Sequence, residues 1–405
     1  MIPLREAQAE VLSACEPREE VSVAVADCLG LVLAQPVFAA EAVPPFANTA
    51  MDGFAVRAED VVSASEERPA RLRVIGTLAA GQAASDSVGR GEALRIMTGA
   101  PFPTGADAIA IVETTRTEGD HVLISSPATA GEHVRRAGED IELGQEVFAA
   151  AMVVGPGHVG VLCSIGCEKV TVVPAPVVGV LSTGDELVEG AAALRPGQIR
   201  DSNRRTLIAL LRRDGFGVVD LGIARDDEPA IEKALLDGVA RCDAVVTSGG
   251  VSMGDFDFVK AVLDRVGRMR WMQVAIRPAK PFAFGVIGAT PVFGLPGNPV
   301  SSMVSYEVLA RPGLRRMAGR CDGSLDRPLV AAVADSPLKA ATDGRTSFVR
   351  VRAVFGEGGR LHVSSTGGQG SHQLYAMALA DALAVIPPGR DAAVGDSVDV
   401  MLLGP

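Results

Sequence analysis

The chain has 405 residues, 48% of them hydrophobic and 21% charged, a globular composition that excludes wholesale disorder. Its 38 basic and 49 acidic residues leave a formal net charge of −11, which disfavours nucleic acid and anionic membranes as partners. Single cores stop growing near roughly 250–300 residues, so at least two domains are expected. With aromatics at 4%, their cores must be built from Val, Leu, Ile and Ala.

The first residues, MIPLREAQAEVLSACEP, carry early acidic groups and no apolar stretch of the secretory kind. Ile2, Leu4, Ala7 and Val11 recur at near-helical spacing, and Pro44-Pro45 stops regular structure. Residues 45–141 read as β-rich. Leu72 to Ile75 alternates, Ala108 to Val112 is a short apolar strand, and Gly and Pro punctuate often. Residues 142–173 return to helix-like sequence. The expectation is a helical/β N-terminal domain of 1–44 and 142–173, for linking and dimerisation, with 45–141 inserted as a β-rich domain. The most apolar stretch, Val147 to Cys163, is short for a membrane span and is broken by Gly155-Pro156-Gly157. A soluble, cytoplasmic protein is expected.

Residues 174–321 alternate strands with helices. Val177 to Leu181 is a continuous apolar strand, buried on both faces. Ser202 to Asp214 is a helix with Ser202 as cap, an apolar stripe of Leu207, Leu210 and Leu211, and Gly215 at its end. Val218 to Leu221 and Ala244 to Thr247 are strands; Glu228 to Ala240 and Phe256 to Val266 are helices. Phe282 to Phe284 and Pro291 to Phe293 pair as a hairpin, and Asn298-Pro299 opens another helix. This pattern predicts a doubly wound sheet. Residues 322–405 hold short alternating segments, such as Phe348 to Val351 and Ser397 to Val400, and predict a small β domain. The fold class is therefore multidomain α/β.

The six cysteines, Cys15, Cys28, Cys163, Cys167, Cys242 and Cys321, include no CxxC pair and read as buried free thiols in a reducing cytosol. Cys163 and Cys167 could share a helix face, but a metal site would need two more ligands. His362 and His372 read as non-ligands. No G-x-S-x-G or H-E-x-x-H occurs, so hydrolase and zincin chemistry gain no support.

Ligands of doubly wound sheets bind beyond the carboxyl ends of the strands. Three loops fall there: Leu181 to Leu187, Thr247 to Asp257, and Gly294 to Pro299. Gly249-Gly250 lets backbone N–H groups approach a phosphate, and the helices that follow offer their positive ends to an anion. Asp185, Glu186, Asp226, Asp255 and Asp257 suit Mg²⁺, which takes one or two carboxylates and shares the rest of its sphere with phosphate oxygens. Each feature alone is also what an ordinary turn or helix entry uses. Three loops at one edge point to a magnesium-dependent phosphate or nucleotide site. Arg277, Lys280 and Arg350 lie in settings that suit either an oxyanion pocket or solvated surface.

Six segments in order resemble the molybdopterin molybdenumtransferase family, which includes the C-terminal enzyme domain of gephyrin. They are Asn48 to Ala55, Ile96 to Pro101, Arg136 to Ile141, Ser182 to Leu187, Ser248 to Gly254, and Gly294 to Pro299. The resemblance implies a homodimer with a composite active site, acting on adenylylated molybdopterin and molybdate, with a divalent cation assisting release of AMP. It assigns catalytic roles to Asp52, Thr98, Asp140, Glu186, Asp226 and Asp257. It assigns Mg²⁺ to Asp185, Glu186, Asp226 and Asp257. It places substrate against Thr183, Gly184, Ser248, Gly249, Gly250, Ser252, Pro296, Gly297, Asn298 and Pro299, and molybdate against Lys280, Ser301, Arg350 and Ser371. Transient contact with a molybdopterin adenylyltransferase is implied as well. Phe54 stands where many relatives have Tyr, Arg277 where Lys is frequent, and Ala279 where Gly is common. The competing readings are a molybdopterin adenylyltransferase, resting on residues 174–318 alone, and a non-catalytic gephyrin-like scaffold.

Overall fold

The computed structural model describes residues 1–83, 86–250, 258–321, 323 and 325–404. The chain forms two compact units, one of Ser22–Leu29 and Gln35–Val170, the other of Met1–Val21, Gly30–Ala34 and Thr171–Pro405.

The first unit centres on a six-stranded sheet. Its strands are β1 (Gly53–Val56), β2 (Ala70–Leu78), β3 (Glu92–Ile96), β4 (Ala108–Ile111), β5 (Thr115–Glu118) and β6 (His121–Ile124), in the order β4-β1-β3-β2-β6-β5. Period-2 patterning explains how it buries its faces. Phe54 and Val56 join a cluster with Leu72 and Val122, whereas Ala55 joins Leu94 and Ile109 on the other side. The helix-like reading of 142–173 holds only for Pro156–Ser164; Glu146–Phe148 and Lys169–Val173 are strands.

The second unit begins with α1 (Leu4–Ser13), which buries Ala7 and Val11. Its main sheet contains β7 (Val177–Thr183), β8 (Gly217–Ala224), β9 (Ala244–Ser248), β10 (Arg268–Gln273), β11 (Pro281–Ile287) and β12 (Thr290–Leu295), in the order β8-β7-β9-β12-β11-β10. The first four strands run parallel; β12, β11 and β10 pair antiparallel. Helices α2 (Asn203–Arg213), α3 (Glu228–Arg241), α4 (Phe258–Val266) and α5 (Pro299–Ser305) cover both faces. Along β7, Val178 and Val180 pack with Leu207 and Leu211 of α2 and with Val300 and Val304 of α5. Leu181 points the other way, to Ile231 and Leu235 of α3 and Val262 of α4. Each fully buried Leu of this kind contributes about 2 kcal/mol of transfer free energy. Because β7, β8, β9 and β12 are parallel, their carboxyl ends open on the same edge.

The expected cap of α2 is one residue off. Ser202 already has helical torsions and makes no side-chain cap bond. Asp201 does the capping: its Oδ1 accepts from the Arg204 N–H at 3.2 Å, and its Oδ2 from Arg204 Nε at 2.8 Å. A carboxylate takes this place because it neutralises a guanidinium that is only 1% exposed.

The last part of this unit is a barrel. Strands β13 (Leu329–Ala334), β14 (Thr346–Phe355), β15 (Leu361–Ser365), β16 (Ala382–Ile386) and β17 (Ser397–Leu402) close in the ring β14-β15-β13-β17-β16-β14. Closure leaves no free edge, and Val349, Val351, Val363, Ala384 and Val400 fill the interior. Cys15, Cys28 and Cys242 are buried as expected, whereas Cys167 is half-buried and Cys163 and Cys321 are exposed. Among the described residues, no helix is long and apolar enough to cross a membrane.

Candidate active site

A cleft of about 720 Å³ lies at the carboxyl edge of the parallel strands, within the size range of small-ligand sites. Its floor is the ends of β7 and β9, where Ser182 and Ser248 lie side by side in register. Thr183 ends β7 and Gly184 and Glu186 follow it, Gly249 and Gly250 follow β9, and Pro296 to Pro299 follow β12. Asp226, just past β8, completes the acidic side.

Two glycines have specific geometric reasons. Gly184 has φ +149, and a Cβ there would fall 2.5 Å from Glu186 Oε2, so the Glu186 side chain lies against bare backbone. Gly250 has φ +70, and a Cβ there would lie inside Val259 of α4. The tight packing at Gly250 is therefore toward the protein core.

Asp185 and Asp226 are coupled through their backbones, each N–H donating to the other's carboxylate at 3.4 and 3.3 Å. Asp185, Glu186 and Asp226 are exposed, and Glu186 and Asp226 line the cleft. Among the described residues, no group of three or more His, Cys, Asp or Glu side chains forms a metal cage. Asp257 and Ser252, expected in this site, lie outside the described residues.

Arg350, Ser371 and Ser301 gather around one loop, whereas Lys280 and Arg277 are placed apart from it. Arg350 of β14 is fully buried. Its Nη2 donates to the carbonyls of Gly368 at 2.9 Å and Gly370 at 3.2 Å. Its Nε and Nη1 are buried without a hydrogen-bond partner, and burial pushes its pKa down. The next loop residue, Ser371, accepts at its carbonyl from the Val300 N–H at 3.0 Å, beside buried Ser301. Lys280 is exposed; its carbonyl accepts from Val274, and the adjoining Pro281 lines the cleft. Arg277 lines a separate cavity with Ser347 and Gln369.

Asp52, Thr98 and Asp140 belong to the other unit. Asp52 Oδ1 accepts from both the N–H and the hydroxyl of Thr98, at 2.7 Å each. These two bonds, the backbone one first, hold the Asp52 carboxyl below its ordinary pKa. Asp140 joins neither; its N–H donates to Val43.

Sequence reading missed one whole wall of the cleft. Ile199 to Asn203 runs along it, with the Ile199 N–H donating to the Glu186 carbonyl at 2.8 Å. An Asp-Ser-Asn run opening a helix in a doubly wound unit was the available signal. His372, read from the sequence as a non-ligand, also lines the cleft.

Profiles described as MoeA N-terminal region (domain I and II), Probable molybdopterin binding domain, and MoeA C-terminal region (domain IV) match residues 2–166, 179–316 and 332–403. A molybdopterin molybdenumtransferase of Haemophilus influenzae is 36% identical over 99% of this chain and 98% of that protein. The chain belongs to the molybdopterin molybdenumtransferase family. Molybdopterin molybdenumtransferase 2 of Mycobacterium tuberculosis is 39% identical over 94% of this chain and 93% of its own length. Two molybdopterin biosynthesis MoeA structures from Pyrococcus horikoshii superpose with TM-scores of 0.82 and 0.80, at 33% and 27% identity. They cover 100% and 99% of this chain, and each is covered in full. The matches include residues 2–166, which an adenylyltransferase reading leaves without a role.

Proposed function

We propose that this chain inserts molybdate into adenylylated molybdopterin and releases AMP, giving molybdenum cofactor. The observation that carries the proposal is the cleft, where three strand-end loops and the carboxylates of Glu186 and Asp226 share one surface. Family membership supplies the substrate class.

Two anions must meet here, in a protein whose formal charge is −11. Three features of the chain favour that meeting. Ser248, Gly249 and Gly250 put a hydroxyl and backbone at the floor. The helical run that begins at Pro299 turns its amino end to the cleft. Arg350 holds two buried nitrogens, Nε and Nη1, with no hydrogen-bond partner, a costly arrangement that an oxyanion would relieve.

The residues that would hold Mg²⁺ are Glu186 and Asp226, with Asp185 beside them and Asp257 assigned from the family. The donor set fits the ion. Mg²⁺ needs only one or two carboxylates when phosphate oxygens share its sphere, so the lack of a preformed cage among the described residues is compatible with it. When bound, it would neutralise phosphate oxygens and polarise phosphorus.

On this reading the chain works in the cytoplasm as a homodimer. Asp52, Thr98 and Asp140 of a second copy would close the cleft, and an adenylyltransferase would deliver the substrate. The test is AMP release from adenylylated molybdopterin across a Mg²⁺ titration, for wild type, Glu186→Gln and Asp226→Asn. Wild type should show a Mg²⁺-dependent rate that both variants lose. Equal rates in all three, at limiting Mg²⁺, would remove the metal assignment.

A further inference from the structure

The two serines at the floor of the cleft are adjacent in register but have opposite hydrogen-bond environments. Ser182 Oγ lies 3.0 Å from Asp201 Oδ1. An ionised carboxylate only accepts, so the Ser182 proton is committed to Asp201.

Ser248 faces an amide instead. Asn203 Nδ2 lies 2.8 Å from Ser248 Oγ and 2.7 Å from the Gly297 carbonyl. The carbonyl can only accept, which fixes the amide orientation: it is the NH₂ end that faces Gly297. An NH₂ group has two hydrogens, and both are then used. Ser248 Oγ is therefore the acceptor of this bond. Its own proton points elsewhere, and Ser248 lines the cleft.

We infer that Asn203 is a positioning residue that sets the Ser248 hydroxyl as a hydrogen-bond donor to the phosphate of a bound adenylate. The inference rests on the proposed function for the identity of the ligand. It assigns Asn203 a second effect, because the same amide ties the end of β9 to the loop after β12. Ser182 and Ser248 thereby differ: Ser182 holds the wall through Asp201, and Ser248 addresses the ligand.

The experiment is a double-mutant cycle read by calorimetric titration with AMP in the presence of Mg²⁺, using full-length protein. Ser248→Ala should weaken AMP binding about tenfold, the loss of one hydrogen bond to a charged group. Asn203→Ala should weaken it severalfold in the wild-type background and hardly at all in the Ser248→Ala background. If Asn203→Ala unfolds the protein, Asn203→Ser, too short to reach both partners, takes its place. An equal loss from the Asn203 variant in both backgrounds would mean that Asn203 only braces the loops, and would overturn the inference while leaving the cleft reading intact. Unchanged AMP affinity in Ser248→Ala would also overturn it. Wild-type protein that does not bind AMP would overturn the adenylate reading of the cleft, and this inference with it.

Discussion

Asp185 and Asp226 exchange hydrogen bonds, each backbone N–H reaching the other's carboxylate, so two strand-end loops present their acidic groups as one unit. If Asp226 holds the cation and Asp185 orients it, the two positions should differ in kinetics. Asp185→Ala should raise the Mg²⁺ concentration needed for half-maximal AMP release about tenfold, with little change in the rate at saturating Mg²⁺. Asp226→Ala should lower the rate at every Mg²⁺ concentration. A Mg²⁺ titration of both variants distinguishes these outcomes.

Arg350 should matter more to function than to stability. Arg350→Met removes the unpartnered Nε and Nη1 from the interior but also strips the Gly368 and Gly370 carbonyls of their donor, so the two effects should offset to within about 1 kcal/mol. The same change should raise KM for molybdate tenfold or more. Urea denaturation and molybdate-dependent activity test the two halves separately.

Ala279 carries backbone strain. Its φ is +79 in a buried position, where a side chain beyond glycine is disfavoured. Relief of the left-handed penalty outweighs the added freedom of the unfolded chain, so Ala279→Gly should stabilise the protein by up to about 1 kcal/mol. Denaturant midpoints of the two proteins check this.

A buried ion cluster ties α2 to the helical run after α5. Asp214 accepts from the Tyr306 hydroxyl at 2.7 Å and Arg311 Nε at 3.1 Å, and Glu307 binds Arg213 and Arg327 at 2.7 and 2.6 Å. Removing one partner strands charge in the interior, so Asp214→Asn should cost about 3–5 kcal/mol at neutral pH. Burial raises the Asp214 pKa, but the bonds from Arg213 and Tyr306 outweigh it and the net shift is downward. Its stabilisation is therefore full above the unfolded value of about 3.9 and fades as pH falls below it, through the folded pKa. The stability gap between wild type and Asp214→Asn should shrink over that window in denaturation measured from pH 7 down to acid.

The parts of the fold legible in sequence were those written in local pattern. The apolar run at Val177 to Leu181 became β7, flanked on both sides by parallel strands, and the expected hairpin became β11 and β12. Gly215 follows α2 with φ +83, as a helix stop should. What escaped depends on distant pairings. Barrel closure joins β14 to β16 across the Gly368–Ser371 loop, and no local period encodes it. The Asn203 contacts span 45 and 94 residues, so no local pattern marks them. Arg350 was recognised as an oxyanion candidate, but its complete burial depends on the loop folded over it.

The most direct test gives the purified chain adenylylated molybdopterin, molybdate and Mg²⁺, and measures AMP and pterin-bound molybdenum in the same samples. The account predicts that both appear together in equal amounts, and that neither forms when Mg²⁺ is removed. Molybdenum bound to the pterin with the adenylate still intact, or AMP formed at the same rate without Mg²⁺, would contradict it.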